Sequence, residues 1–372
     1  MLNSQVSCML SASVLIPTYN RAAILSETLL ALTQVQRTDT NVQWIIIDNN
    51  SNDATRAVVA EFAKKLNLAY LFEPRPGKNR ALNQALTQCA LGDIVVFTDD
   101  DVTPGTDWLS QIARSCLEYP EYSVFRGRII PQWPVQSEAL WAQDRFIQAF
   151  GFARHDYGPG VQPYPAGSYP FGPNFWVRRE VFRKGFTFDE RVGPRPANRI
   201  MGSETRFLIN LATAGYAMLY YPGAKLRHRI QKAAYSPKAI HRRALSLGRA
   251  GIYLSGLPRP RLREKCPAAW VAYLLVKMAY ASVLRLCSVA SFSEKERLRR
   301  AVNALTILGN ALESLRAGGS VVTKPPSANR GDSVSNEIRH HPELLPAPEG
   351  SEEESPFGLN HHPGMILRNS AK

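Results

Sequence analysis

Ile94-Val95-Val96-Phe97-Thr98-Asp99-Asp100-Asp101 is the stretch that decides the fold. Four apolar residues make a strand with no polar face, and one threonine later three carboxylates follow in succession. Carboxylates packed this tightly repel and raise one another's pKa, so a cluster that stays ionised wants a cation to neutralise it. Hard oxygen ligands suit Mg2+ or Mn2+, either of which can bridge a carboxylate to a diphosphate. Acidic loops after strands are also common as plain solvated turns, so the triplet takes its meaning from its neighbours.

Outward from that strand, apolar β-like runs alternate with helical ones. Val14 to Pro17, Trp44 to Asp48, Ala69 to Phe72, Ile94 to Thr98 and Ser123 to Ile130 read as strands; Ile24 to Leu32, Ala54 to Leu66, Arg80 to Ala90 and Trp108 to Leu117 read as helices. Strands apolar on both faces and separated by helices predict an α/β fold with a largely parallel sheet. Ligands of such sheets lie beyond the carboxyl ends of the strands. Three ends are chemically unusual: Pro17-Thr18-Tyr19-Asn20, Asp48-Asn49-Asn50-Ser51-Asn52-Asp53, and the aspartate triplet.

Farther along, Gly151 to Pro173 is rich in Gly, Pro and Tyr and reads as a covering or binding loop, with a plain surface excursion as the alternative. Gly172-Pro173-Asn174-Phe175-Trp176 leads into a strand, Arg178 to Phe182 into a short helix, Gly202-Ser203-Glu204 into a helix over Phe207 to Ala212, and Ala217 to Tyr221 reads as a strand. Helices dominate after Gln231. Beyond Gly318 few apolar residues remain, and a disordered tail is expected.

The formal charge is +14, and Gln231 to Arg316 carries 16 Lys or Arg against four Glu and no Asp. Pro267 to Leu284 is apolar apart from Lys277 and Ser282, between basic flanks at Arg259, Arg261, Arg263, Lys265 and at Lys295, Arg297, Arg299, Arg300. Such a helix reads either as resting in a membrane interface or as packed on the core. Nucleic acid is not expected as a partner, because no reader motif or aromatic platform accompanies the charge. The cysteines (Cys8, Cys89, Cys116, Cys266, Cys287) follow neither disulfide nor zinc spacing, which suits a reducing compartment. Met1 to Ser11 lacks the pattern of a secretory signal, so a cytoplasmic location at the membrane's inner face is expected.

The order of Ser13-Val14-Leu15-Ile16-Pro17-Thr18-Tyr19-Asn20-Arg21, Ile46-Ile47-Asp48-Asn49-Asn50-Ser51-Asn52-Asp53, Gly77-Lys78-Asn79-Arg80-Ala81-Leu82-Asn83 and Phe97-Thr98-Asp99-Asp100-Asp101 resembles the family 2 glycosyltransferases of the GT-A fold. Gly172-Pro173-Asn174, Gly202-Ser203-Glu204 and Leu226-Arg227-His228 continue the resemblance, which covers roughly 13–229. It implies a GT-A domain over 1–230, Rossmann-like with a mostly parallel sheet. A basic helical extension over 231–316 and the tail over 317–372 would follow. It further implies inverting transfer of a sugar from a nucleotide diphosphosugar to a hydroxyl of a saccharide or lipid-linked acceptor, as in polysaccharide, glycolipid or other glycoconjugate synthesis.

The same resemblance distributes roles, each beside a plainer alternative. Pro17, Thr18 and Tyr19 would hold the nucleobase, or simply turn the chain with Asn20 as a cap. Asp48 would meet the base or ribose, or shape a turn. Lys78, at a helix start, would favour phosphate, or be a solvated lysine. Asp99 and Asp100 would face the donor, with Asp99, Asp101 and His228 at the metal; a lone histidine is otherwise usually structural. Glu204 is the expected general base, since an inverting displacement needs a carboxylate that takes the acceptor's proton, although it could instead only oppose a helix dipole. The usual Gly-Glu-Asp pattern is here Gly202-Ser203-Glu204, one methylene longer at the base and without the preceding acid. Gly172, Asn174 and Trp176 would lie under the sugar or acceptor, with the indole as a stacking face or as core. Asp189 and Glu190 resemble a structural element. Competing assignments are a nucleotidyltransferase, which would want a Gly-rich phosphate loop after the first strand, and a non-catalytic sugar-nucleotide-binding protein.

Overall fold

Runs of Val, Ile and Leu build the first half of the sheet. In the computed structural model, which describes residues 10–37, 40–134, 139–165, 167–169, 171–196, 198–254, 267–289 and 293–316, strands β1 (Leu10–Thr18), β2 (Thr40–Asp48), β3 (Leu68–Phe72) and β4 (Ile94–Phe97) pair in parallel in the order β3-β2-β1-β4. Helices α1 (Ala22–Leu32), α2 (Thr55–Phe62) and α3 (Lys78–Gln88) connect them. Alternate residues point to opposite faces, so Val14, Ile16, Trp44 and Val96 enter one core and Leu15, Ile45, Val95 and Phe97 the other. Two buried faces are why these strands read as unbroken apolar runs.

The second half is mixed. After β5 (Val102–Pro104) and α4 (Trp108–Glu118) come β6 (Val124–Gln132), α5 (Arg145–Phe152), β7 (Gln162–Pro163), β8 (Phe175–Arg178), α6 (Arg179–Arg183), α7 (Ser203–Thr213) and β9 (Met218–Arg229). The sheet continues β4-β8-β6-β9-β5, with β8 antiparallel to β4 and β6, β6 parallel to β9, and β5 antiparallel to β9. Strand β9 runs past the Pro222-Gly223 pair at which the sequence suggests a stop. A register shift between Arg126 and Arg128 lets β6 follow it, and a side chain at Gly127 would lie 2.2 Å from the Ala224 carbonyl. His228 therefore sits inside β9, not after a strand, and pairs with Val102 directly behind the aspartates.

Three helices extend this domain: α8 (Pro237–Leu254), α9 (Pro267–Val289) and α10 (Glu294–Arg316). Gly248 lies on the backbone of Thr306 and Gly309 on that of Leu245, so α8 and α10 run antiparallel at close approach. Asp144 ties α10 to the sheet domain. It caps α5 by accepting from the Ile147 amide at 3.0 Å and lies 3.1 Å from Lys295 and 3.0 Å from Arg299. Helix α9 packs on α10 through Leu274 and Ala281, with Lys277 Nζ donating to Asn310 Oδ1 at 3.0 Å. Its other face exposes Leu275, Val276, Val283 and Leu286, so it is not a core helix laid on the sheet. Arg259, Arg261, Arg263, Lys265 and the 317–372 tail lie outside the described residues.

Candidate active site

The carboxyl ends of β1, β2 and β4 converge as expected, and the triplet divides its side chains among three environments. Asp100 turns inward, where Thr18 Oγ1 donates to it at 2.7 Å and Arg21 Nη1 lies 2.5 Å away. Burial, opposed by Arg21 and reinforced by the neighbouring aspartate, raises its pKa. Asp99 faces Lys78, whose Nζ donates to Asp99 Oδ1 at 2.7 Å and to Glu204 Oε1 at 2.8 Å. Asp101 faces His228, with Oδ1 3.4 Å from Nε2, while Arg21 Nη2 holds its other oxygen at 2.8 Å.

Glu204 occupies the first turn of α7, and its neighbours explain how it is held. Gly202, at φ 97°, makes a turn L side chains resist, and buried Ser203 donates to Asn79 Oδ1. Asn79 in turn donates to the carbonyls of Asp189 (2.7 Å) and Val192 (3.0 Å), which locks α7 to α3. The serine in the place of the first acid is thus a brace. Burial would raise the Glu204 pKa, but Lys78 overcomes it and the net direction is down. Burial likewise opposes the charge on Lys78, yet its two carboxylates hold its pKa above the ordinary lysine range.

The pair Asp101 and His228 fits a divalent ion. His228 Nδ1 lies 2.9 Å from the Phe152 carbonyl, which can only accept, so Nδ1 carries a proton, and whenever the ring is neutral Nε2 turns a lone pair toward Asp101. Asp101 Oδ1 is buried with no hydrogen-bond partner among the described residues. Two acceptor atoms 3.4 Å apart require a cation between them, either a proton or a metal. Without metal the proton serves: burial opposes it, but Asp101 wins, raising the His228 pKa and lowering that of Asp101. Among the described residues no three His, Cys, Asp or Glu side chains group as a metal site, and Asp99, expected at the metal, pairs here with Lys78.

Other expected residues fall into supporting places. Asp48 is buried and accepts from the Ser51 amide and the Tyr70 hydroxyl, both at 2.8 Å, which shapes the β2 turn. Burial and this carboxylate push Tyr70 up to about 12. Tyr19 is 40% exposed beside Pro17 and free to meet a ring. Trp176 is fully buried, stacked on Phe125 and donating to Ser115 Oγ at 3.1 Å, so it is core and offers no face to a sugar. Asn174 is equally buried; it accepts from Trp108 Nε1 (2.9 Å) and donates to the carbonyls of Arg128 (3.0 Å) and Ala224 (2.8 Å), bracing β6 against β9. Gly172, at φ 82°, turns the chain and presents its carbonyl to Arg126 Nη1 at 3.1 Å. Asp189 pairs with Arg191 at 2.6 Å and Glu190 with Arg80 at 3.1 Å, as a structural element should.

Two cations escaped the sequence argument. Arg21 binds Asp100 and Asp101 together, and its position directly after the first strand's motif was the available signal. Arg126 is fully buried among Tyr157, Tyr164 and Tyr220, with Nε and Nη2 unpartnered among the described residues and Glu204 within electrostatic reach. No local pattern marks it, since it lies in an apolar strand.

Acidic groups and a candidate metal pair at the carboxyl ends of a parallel half-sheet, closed by an antiparallel β8 and an extended β9, define a GT-A fold. Residues 13–186 match the model for Glycosyl transferase family 2, and this part of the chain is a family 2 glycosyltransferase domain. Glu204 and His228 lie past the matched residues. Among similar proteins, the probable glycosyltransferase YdaM of Bacillus subtilis is 24% identical over 219 residues, covering 57% of this chain and 49% of the relative. Glycosyltransferase AglE of Haloferax volcanii is 25% identical over 213 residues, covering 56% and 63%. The chain thus spans less than two thirds of each of these relatives. In structure, the mannosyltransferase PcManGT of Pyrobaculum calidifontis, solved with GDP-Man and Mn2+, superposes with a TM-score of 0.53 at 20% identity, covering 82% of this chain and 86% of that one.

Proposed function

We propose that this protein is an inverting glycosyltransferase that moves a sugar from a nucleotide diphosphosugar to an acceptor hydroxyl with a divalent ion, Mg2+ or Mn2+, at Asp101 and His228. The observation that carries this is the pair of adjoining devices: a carboxylate and an imidazole that need a cation between them, and a second carboxylate, Glu204, kept ionised by Lys78. PcManGT, bound to a nucleotide sugar and Mn2+ on the same fold, supports it. Asp101 and His228 would hold the ion, which would supply positive charge against that growing on the leaving nucleoside diphosphate. Tyr19 offers a ring to the base, Asp48 holds the turn beside it, and Asp99 stands with Lys78 on the sugar side. Glu204 takes the acceptor's proton as the new bond forms.

A nucleotidyltransferase is disfavoured because Pro17-Thr18-Tyr19-Asn20 is not a phosphate-binding loop, and a purely binding role leaves the Glu204–Lys78 device without purpose. The apolar face of α9 supports association with the cytoplasmic face of a membrane, where a lipid-linked or saccharide acceptor would be met; Ala268–Cys287 is by length and composition also sufficient to cross one. The deciding experiment is Glu204→Gln. Transfer should fall by about 10²–10⁴ while Mn2+-dependent binding of the donor persists, and unchanged turnover removes Glu204 from the chemistry.

A further inference from the structure

Arg126 is fully buried, and only part of its guanidinium is used. Nη1 donates to the Gly172 carbonyl at 3.1 Å, while Nε and Nη2 have no hydrogen-bond partner among the described residues. Those two nitrogens form the side-on edge of the group, whose parallel N–H bonds match both oxygens of one carboxylate. Two other arginines of the chain show the fit. Arg75 meets Glu73 through Nε at 2.9 Å and Nη2 at 2.8 Å, and Arg191 meets Asp189 through Nε at 2.9 Å and Nη2 at 2.6 Å. Arg126 turns the same edge to no acceptor among the described residues, although a buried donor without one is costly.

Register and hydrogen bonds place this fork beside the carboxylates assigned to the sugar. Arg126 pairs with Phe175 of β8 and Tyr220 of β9, and Phe175 with Phe97 of β4, so these side chains share the sheet face on which Phe207 of α7 packs. Glu204, one turn before Phe207, lies on the same side of that helix. Gly172, held by Arg126, is followed by Pro173, whose carbonyl accepts at 3.0 Å from Thr98 Oγ1, the residue before Asp99. Rings surround the guanidinium. Half-buried Phe171 lies over it at 5.9 Å, and the His155 ring has its centroid 4.7 to 5.7 Å from those of Tyr157, Tyr164, Phe171 and Tyr220. The rings supply no anion: burial holds Tyr164 protonated and, with Arg126, keeps His155 neutral. One positive charge among aromatic faces matches a singly charged group carried on a sugar ring, whereas a dianionic phosphate would want a second cation.

We propose that Arg126 receives the carboxylate of a sugar acid side-on through Nε and Nη2, so that this site selects an acidic sugar over its neutral counterpart. This rests on the glycosyltransferase reading above, and the acid is either the transferred sugar or part of the acceptor. The fork is shut off from solvent here, so the half-buried rings of Phe171 and Tyr164 part to admit the carboxylate. The test is calorimetry on the full chain with Mn2+, wild type against Arg126→Met and Arg126→Lys. Donor probes are UDP-glucuronate against UDP-glucose and GDP-mannuronate against GDP-mannose; acceptor probes are p-nitrophenyl glucuronide against the glucoside. The readout is the affinity ratio within each pair, which a generally loosened site would not move. Wild type should prefer the acidic member at least about tenfold in a donor pair or in the acceptor pair, and the pair affected identifies the source. Arg126→Met should bring that ratio to about one, and Arg126→Lys, with the charge but not the fork, should keep only part of it. If wild type binds nucleotide sugars with Mn2+ but shows no preference in any pair, or if the preference survives in Arg126→Met, the role of Arg126 alone is wrong. If wild type binds no nucleotide sugar, that role and the glycosyltransferase mechanism fall together. Should Arg126→Met not fold, an undiminished preference in Arg126→Lys overturns the role and a reduced one supports it.

Discussion

Replacing Lys78 by Met should move the acid limb of the pH–rate profile upward by about two units. Lys78 Nζ lies 2.7 Å from Asp99 Oδ1 and 2.8 Å from Glu204 Oε1, so those oxygens are at most about 5.5 Å apart. With the ammonium present, Glu204 is depressed below the ordinary glutamate pKa. Methionine removes that attraction and leaves two carboxylates facing each other. At 5.5 Å and an effective dielectric near 20, their repulsion is about 3 kcal/mol, which corresponds to roughly two pH units. The two groups then titrate as a coupled pair, and the first proton taken up near neutrality disables the base or its neighbour. Nucleoside diphosphate release, followed from pH 4 to 9 at saturating Mn2+ and donor, should show kcat/KM falling in the variant at pH values where wild type is still on its plateau, with part of the loss recovered in alkali. An unmoved acid limb would refute the reasoning, because either Lys78 does not set the ionisation of Glu204 or Glu204 is not the base. A uniform loss at all pH values would instead mean that Lys78 acts on the donor.

Three further outcomes follow from the same geometry. Mn2+ binding should release up to one proton per ion below the raised His228 pKa, with affinity rising up to about tenfold per pH unit there; calorimetry in buffers of different ionisation enthalpy counts the protons, and pH-independent affinity with no release would count against His228 as a ligand. Asp144→Ala should cost about 2 kcal/mol, about 1 for the lost cap and about 0.5 for each half-exposed ion pair, measured by denaturant unfolding. Because Asp144 is depressed when folded, that contribution is full above pH about 4 and fades as the pH falls through its folded pKa, so wild type and variant should converge in acid. Replacing Leu275, Val276 and Leu286 together by Ser should abolish co-flotation with anionic vesicles while leaving transfer to a soluble acceptor near wild type; undiminished flotation would remove α9 as the contact.

The parts of the fold legible in the sequence are those whose burial is two-sided. β1, β2 and β4 are buried on both faces, so their residues advertise strand without alternation, and the chemistry at their ends comes with them. β9 was half legible: Met218 to Pro222 is buried, after which burial alternates through Lys225 and Arg227, and a Pro-Gly pair hides the continuation. Trp176 and Asn174 could not be placed, because whether a residue faces ligand or core depends on β8 lying between β4 and β6, a non-local pairing without a local signature. Arg126 was invisible for the same reason. Lys78 was located correctly at a helix start, but its partners are 21 and 126 residues away in the chain.

The aspartate triplet shows why residue type alone understates a site. Like-charge crowding predicts that the carboxylates are pushed toward protonation; Asp100 is, with burial the largest cause and the neighbouring aspartates adding to it. Asp101, almost as buried, moves the other way because His228 and Arg21 face it. Asp99 pairs with Lys78. Successive side chains of a turn leaving a strand point in different directions, so three identical residues acquire three partners: Asp100 ties β4 to the β1 turn through Thr18 and Arg21, Asp101 faces His228 in the pair proposed to hold a cation, and Asp99 accepts from the lysine that also holds Glu204. Arg21 couples the first two by holding both. A substitution at Asp100, whose carboxylate is held by Thr18 and Arg21, should therefore loosen Asp101 through Arg21. Asp100→Asn should preserve the fold yet weaken Mn2+ binding, because a neutral amide no longer anchors one arm of the guanidinium that orients the metal's carboxylate. Unaltered Mn2+ affinity in that variant would show that Asp101 is positioned by the β5–β9 pairing alone.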